Sequence, residues 1–93
     1  MGKYSIIVEK SAQKELQSHY KSGDQSSIKR IEKIFIELSA HPETGIGNPE
    51  RLKYDLSGYW SRRINKKDRL VYRIEDQYIH VIVIAAMGHY LDK

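Results

Sequence analysis

The chain has 93 residues, with 16 Lys and Arg against 12 Asp and Glu, a formal net charge of +4 and a sequence pI of about 9.3. This length suits one domain over residues 1–93 with a single modest core, and 40% hydrophobic residues are too many for a disordered chain. Cysteine is absent, which excludes a disulfide framework, a thiolate nucleophile and a Cys-ligated metal; no apolar run approaches the ~18 residues of a membrane span, so the expectation is a soluble cytoplasmic protein, off the membrane, with an anionic partner, nucleic acid first.

The β-branched run "KYSIIVEK", Lys3 to Lys10, predicts a first strand. Ala12, Leu16, His19 and Tyr20 then follow helical spacing, with Ser11 as N-cap. Gly23 breaks that helix and Asp24 caps the next, whose apolar face is Ile28, Ile31, Ile34, Phe35 and Leu38. The second helix must end before Pro42, because proline disfavours helix at the residue preceding it. "HPETGIGNPE" is a Pro/Gly loop. Alternating Leu52, Tyr54 and Leu56 predict a strand, Ser57-Gly58 a turn, Tyr59 to Ile64 a strand, "NKKD" a tight turn and Arg69 to Ile74 another strand. After "EDQ", Tyr78 to Met87 reads as the longest strand, apolar on both faces and therefore central. The order β-α-α-β-β-β-β predicts an α+β fold. A helix hairpin covers one face of a small, mostly antiparallel sheet, and the other face is left to Lys, Arg and Tyr.

A phosphodiester can be cut without metal or cofactor when the ribose 2′-hydroxyl is the nucleophile. That reaction needs a base for the 2′ proton, cations for the phosphoryl charge and an acid for the departing 5′ oxygen. A carboxylate with an ordinary pKa near ~4.3 is a base at neutral pH, and an imidazole near ~6.5 can serve as acid. Glu50 at the end of the Pro/Gly loop, Arg69 opening "RLVYRI", Lys53 and Arg63 on neighbouring strands, and His89 with Tyr90 past the last strand supply these groups. Each also has a plainer reading. Glu50 can be a strand-start carboxylate paired with Arg51 or Lys53, Arg69 a solvated cation, and His89-Tyr90 a frayed end. Alternation puts Arg62 and Arg63 on opposite faces, so at most one faces a site. Lys66 and Lys67 read as solvated turn residues. His19, His41 and His80 match no metal spacing and read as packing or surface residues. Trp60 is more often core than a stacking platform, whereas Tyr54, Tyr59 and Tyr72 suit either role.

The run "GIGNPERLKYDLSGYWSRRINKKDRLVYRI", followed by a C-terminal His-Tyr, closely resembles the core of the YoeB toxins within the RelE/ParE superfamily. The resemblance is strong from about residue 28 to 90 and one of layout before that. It implies a RelE/YoeB-like fold and the toxin half of a type II toxin–antitoxin pair. Such a toxin is a ribosome-dependent mRNA endonuclease that cuts in the A site of the 70S ribosome, leaves a cyclic phosphate and a 5′-hydroxyl, and so inhibits translation. On this resemblance Glu50 is the general base, His89 the general acid, Arg69 the phosphate-stabilising arginine and Tyr90 the terminal tyrosine, with Lys53 and Arg63 supporting the phosphate. It also implies a homodimer, and a hetero-oligomer with an antitoxin of the YefM/Phd kind whose acidic tail wraps the toxin and through which alone operator DNA is bound. The chain departs from the family pattern at Met87 and Gly88, where many relatives carry a basic residue, at Asp68, where His is frequent, and in running on to Leu91, Asp92 and Lys93. Two other readings stand beside the nuclease. A ParE-type gyrase-binding toxin would inhibit supercoiling, and a non-catalytic RNA- or ribosome-binding module would bind without cutting.

Overall fold

A computed structural model describes residues 3–88. The elements are β1 (Ser5–Val8), α1 (Lys10–Ser22), α2 (Gln25–Ala40), β2 (Glu50–Arg51), a 3₁₀ turn (Tyr54–Leu56), β3 (Tyr59–Arg63), β4 (Arg69–Glu75) and β5 (His80–Ala85). They form an α+β fold with one sheet in the order β1-β5-β4-β3-β2. β1 runs parallel to β5, and the other pairings are antiparallel.

The helix hairpin forms for the expected reasons. Gly23 closes α1 in the left-handed region at φ 76, a conformation that costs glycine least. The Asp24 carboxylate caps α2, accepting from the Ser27 amide at 3.4 Å and the Ser27 hydroxyl at 2.8 Å. Those bonds hold the Asp24 carboxyl below the usual carboxylate range. Ile31, Ile34 and Leu38 of α2 are buried against Leu70, Tyr72, Val81 and Val83 of the sheet. Each such aliphatic side chain stabilises the fold by about 1.5–3 kcal/mol. Trp60 packs at the edge of this core, with the Arg51 guanidinium 5.6 Å over its ring.

Four expectations from sequence need correction. The first strand is shorter than Lys3 to Lys10, because α1 already begins at Lys10. Ser11 is not the N-cap: Glu9 holds that place, and the Ser11 hydroxyl donates instead to the Ile84 carbonyl at 3.1 Å. Leu52, Tyr54 and Leu56 do not form a strand, because Tyr54 has φ 53 and the chain coils into a 3₁₀ turn. That turn brings Leu52 and Leu56 against Val71 and Ala85 on the sheet face away from the helices. Finally, β5 covers six residues and β4 seven, so β5 is not the longest strand. Tyr78 and Ile79 turn instead, their amides donating to the carbonyls of Glu75 and Asp76. β5 is nonetheless an interior strand, between β1 and β4, with Val81, Ile82 and Val83 all buried.

Candidate active site

The alternation of β3 and β4 sorts the charged residues. Arg62 faces the helices, and Tyr59, Ser61 and Arg63 face the other way. Its guanidinium is wholly buried and all five N–H groups are used. Nε donates to the Tyr72 hydroxyl at 3.1 Å, Nη1 to Glu37 Oε1 at 2.6 Å and the Ile46 carbonyl at 3.3 Å, and Nη2 to the carbonyls of His41 and Thr44 at 3.1 and 2.7 Å. The hydroxyl of Tyr72, also buried, donates to the Pro42 carbonyl at 2.7 Å. Burial pushes the Glu37 carboxyl up, but the Ile46 amide and the Arg62 guanidinium outweigh it and hold Glu37 below the usual carboxylate range. This network pins the loop after α2 to the core. Tyr72 is therefore a structural tyrosine and not a stacking platform.

Pinning that loop fixes where β2 begins. The Gly47 carbonyl accepts the Arg63 amide at 2.6 Å, and a Cβ on Gly47, at φ +82, would lie 3.0 Å from the Arg63 carbonyl oxygen. Gly47→Ala is expected to cost about 1–3 kcal/mol, read as a lower urea midpoint at unchanged slope. An unmoved midpoint would mean that the loop is not held here.

The pinned loop delivers Glu50 to the edge of the open face. Glu50 pairs with Ser61 across β2–β3, and Arg63 pairs with Arg69 across β3–β4. Arg69 Nη1 lies 3.5 Å from Glu50 Oε1 and donates to the Ser61 hydroxyl at 3.2 Å. Glu50 is more than half exposed (56%), whereas the Arg69 side chain is 12% exposed. Arg69 Nε is buried with no hydrogen-bond partner among the described residues. A guanidinium held through Ser61 beside an accessible carboxylate is suited to stabilising a phosphoryl oxygen while the carboxylate takes a proton.

Arg63 is exposed, across the sheet from Arg69. Lys53 is exposed at the start of the 3₁₀ turn, and among the described residues no hydrogen bond or ion pair joins it to Glu50 or Arg69. Lys66 and Lys67 are exposed in the β3–β4 turn, as expected. Tyr59 is half-buried on the open face, its hydroxyl 3.5 Å from Arg73 Nη1, and Tyr54 is 69% exposed. His89 and Tyr90 lie outside the described residues. The Gly88 carbonyl, from which the chain continues to His89, accepts the Arg69 amide at 3.2 Å. Ser61, buried beneath Arg69, was not expected from sequence; its only signal was its place between Tyr59 and Arg63 on the open face. Among the described residues no helix is long and apolar enough to cross a membrane.

Comparison with known proteins shows the family of the chain. The family model of the YoeB-like toxin of bacterial type II toxin–antitoxin systems matches residues 9–90. A protein named Toxin YoeB from Streptomyces coelicolor is 42% identical over 72 residues, which is 77% of this chain and 83% of that one. Two solved structures from Staphylococcus aureus are similar throughout. A YoeB dimer has a TM-score of 0.79 at 31% identity, covering 95% of this chain and 99% of that one. A heterotetrameric YoeB–YefM toxin–antitoxin complex has a TM-score of 0.76 at 32% identity, covering 94% and 98%. The 93-residue chain with Glu50 and Arg69 side by side on an open sheet face therefore belongs to the YoeB-like toxins of bacterial type II toxin–antitoxin systems.

Proposed function

We propose that the chain is a ribosome-dependent mRNA endonuclease that cuts in the A site by attack of the ribose 2′-hydroxyl. The observation that carries this reading is the approach of Glu50 to Arg69, 19 residues apart in sequence and 3.5 Å apart in space. Glu50 takes the 2′ proton as the 2′ oxygen attacks phosphorus. Arg69, with Arg63 and Lys53 nearby on the same chain, stabilises the charge that builds on the phosphoryl oxygens. The bond from phosphorus to the 5′ oxygen breaks, and His89 gives that oxygen its proton, with Tyr90 beside it in sequence. The products are a cyclic phosphate and a 5′-hydroxyl. The two proton transfers and the charge stabilisation are assigned to side chains, so no cofactor is needed.

The same reading supplies partners. A YoeB–YefM assembly and a YoeB dimer are known among the similar structures. We infer an antitoxin with an acidic, disordered tail, which complements a basic toxin and covers a large surface by folding on binding, and a toxin homodimer. Operator DNA would be engaged through the antitoxin. The test is primer extension on an mRNA incubated with pure toxin, with and without programmed ribosomes. Cuts are expected only with ribosomes, and a single deoxynucleotide at the cut site should abolish them, since it lacks the 2′ nucleophile. Cuts in the deoxy-substituted message would overturn the mechanism. Absence of cuts, together with inhibited gyrase supercoiling, would favour the ParE-type reading.

A further inference from the structure

The three residues after β5 are held in an unusual way. β5 ends at Ala85, and the strand ladder with it. The backbone of Ala86, Met87 and Gly88 is instead gripped by side chains from two other parts of the fold. One oxygen of Glu15, on α1, accepts both the Ala86 amide at 2.7 Å and the Met87 amide at 3.1 Å. His19, one helical turn further along, contributes Nε2 to the Ala86 carbonyl at 2.7 Å, and against a carbonyl that nitrogen must carry the proton. Asp68, in the β3–β4 turn, accepts the Gly88 amide at 3.0 Å. Arg69, the next residue, donates its own amide to the Gly88 carbonyl at 3.2 Å.

These groups are themselves anchored. His19 and Asp68 are 5% and 4% exposed. The Asp68 amide donates to Asn65 Oδ1 at 2.8 Å, Asn65 Nδ2 donates to the Ser27 hydroxyl at 2.8 Å, and Ser27 donates to the Asp24 cap at 2.8 Å. The grip thus ties the helix hairpin, the β3–β4 turn and the tail into one polar network. Every amide from Ala86 to Gly88 has an acceptor. Burying a histidine and an aspartate to hold three residues of tail costs desolvation that an apolar contact would not. What the expense secures is direction: it fixes where the chain leaves Gly88, directly beside Arg69 and one residue before His89.

We propose that Glu15, His19 and Asp68 are positioning residues for the acid step: they fix the path of the chain through Ala86, Met87 and Gly88, the three residues that precede the proposed general acid His89 in sequence. The proposal rests on the nuclease reading and adds to it the residues through which the general acid is placed. A misplacement of about 1 Å costs on the order of 10²-fold in rate. The effect must appear only in the step that needs the acid, which separates positioning from a general loss of structure.

The experiment is single-turnover cleavage on programmed ribosomes, using two messages that differ at one atom. One carries the ordinary 5′ oxygen at the cut site. The other carries sulfur there, a bridging phosphorothiolate whose thiolate leaves without protonation. Glu15→Ala, on the half-buried side of α1, is expected to lower the rate on the oxygen message about 10²-fold with its ribosome dependence on concentration unchanged, and to cleave the sulfur message within a few-fold of the parent. Glu15→Gln and Asp68→Asn keep an acceptor oxygen in place and should retain most activity on both. Parental rates for Glu15→Ala on the oxygen message, or an equal loss on both messages, would overturn the positioning role. If Asp68→Ala does not fold, the Glu15 pair decides alone. A parent toxin that cuts neither message would overturn the nuclease reading, and the positioning role would fall with it.

Discussion

Replacing Glu50 by Gln is expected to lower ribosome-dependent cleavage by about 10²–10⁴-fold and to leave folding almost unchanged. Gln matches Glu in shape but cannot take the 2′ proton. The structural cost is small because Glu50 is 56% exposed and its ion pair to Arg69 is long at 3.5 Å; exposed pairs of this kind contribute about 0–1 kcal/mol. The measurement is single-turnover primer extension beside a thermal melt. A folded Glu50→Gln toxin that cuts at the parental rate would remove Glu50 from the mechanism. Arg69→Lys probes the partner group. It keeps the charge but not the planar guanidinium whose Nη1 reaches both Ser61 and Glu50, and a loss of about 10²–10³-fold is expected, the scale of removing one donor to transition-state charge. A loss in both variants, with neither destabilised, would separate the chemistry of the open face from its stability.

The largest effect on stability is expected at Arg62. Arg62→Ala removes five donors at once and leaves the Glu37 carboxylate, the Tyr72 hydroxyl and three loop carbonyls without that partner. Breaking a buried ion pair from one side costs about 3–5 kcal/mol, against a total of about 5–15 kcal/mol for a typical domain. Urea denaturation should show a midpoint near or below the start of the measurable range. A shift under about 1 kcal/mol would mean that the network is no more than a surface pair. The pH dependence has a definite sign. Glu37 has its carboxyl held below its ordinary value of 4.5 in the folded state. The unfolded chain therefore binds this proton first as pH falls. The stabilisation is complete above pH 4.5 and is lost as pH drops through the lower folded value. In Arg62→Ala the guanidinium that favours the carboxylate is gone, so this part of the acid sensitivity should shrink.

How far the sequence reached depends on whether local chemistry or distant packing decides each residue. Gly23, Asp24 and the apolar spacing of α2 act within a few residues, and the helix hairpin forms as they predict. Tyr54 looked extended because Leu52 and Leu56 alternate with it, yet its φ of 53 makes a turn. The apolar patch of Val71 and Ala85, contributed by strands far along the chain, draws Leu52 and Leu56 to one side. Ser11 had the right residue type for a cap, but the Ile84 carbonyl, distant in sequence, takes its hydroxyl. In the site, alternation alone separated Arg62 from Arg63, and the structure assigns the buried role to Arg62. Glu50 and Arg69 come together, whereas among the described residues no hydrogen bond or ion pair joins Lys53 to either. His19 was expected to have a packing or surface role and is buried, but nothing local revealed that it and Glu15 hold the segment after β5. Such partners lie on elements that only the fold brings together.

The parallel pairing of β1 with β5 has a consequence for how the protein comes into being. The register joins Ser5 to His80 and Val8 to Val83, so the first strand waits for the last described strand before it has a ladder. Contacts of such long range form slowly, because loop closure must precede any gain from pairing. A nascent chain that has made β1, both helices and β2 to β4 still has an unfilled slot inside its sheet, between β1 and β4. The strand that fills this slot also carries the tail that meets Arg69. Closing the sheet and seating the Gly88 carbonyl on the Arg69 amide thus both depend on β5, and a chain cut short before it has neither.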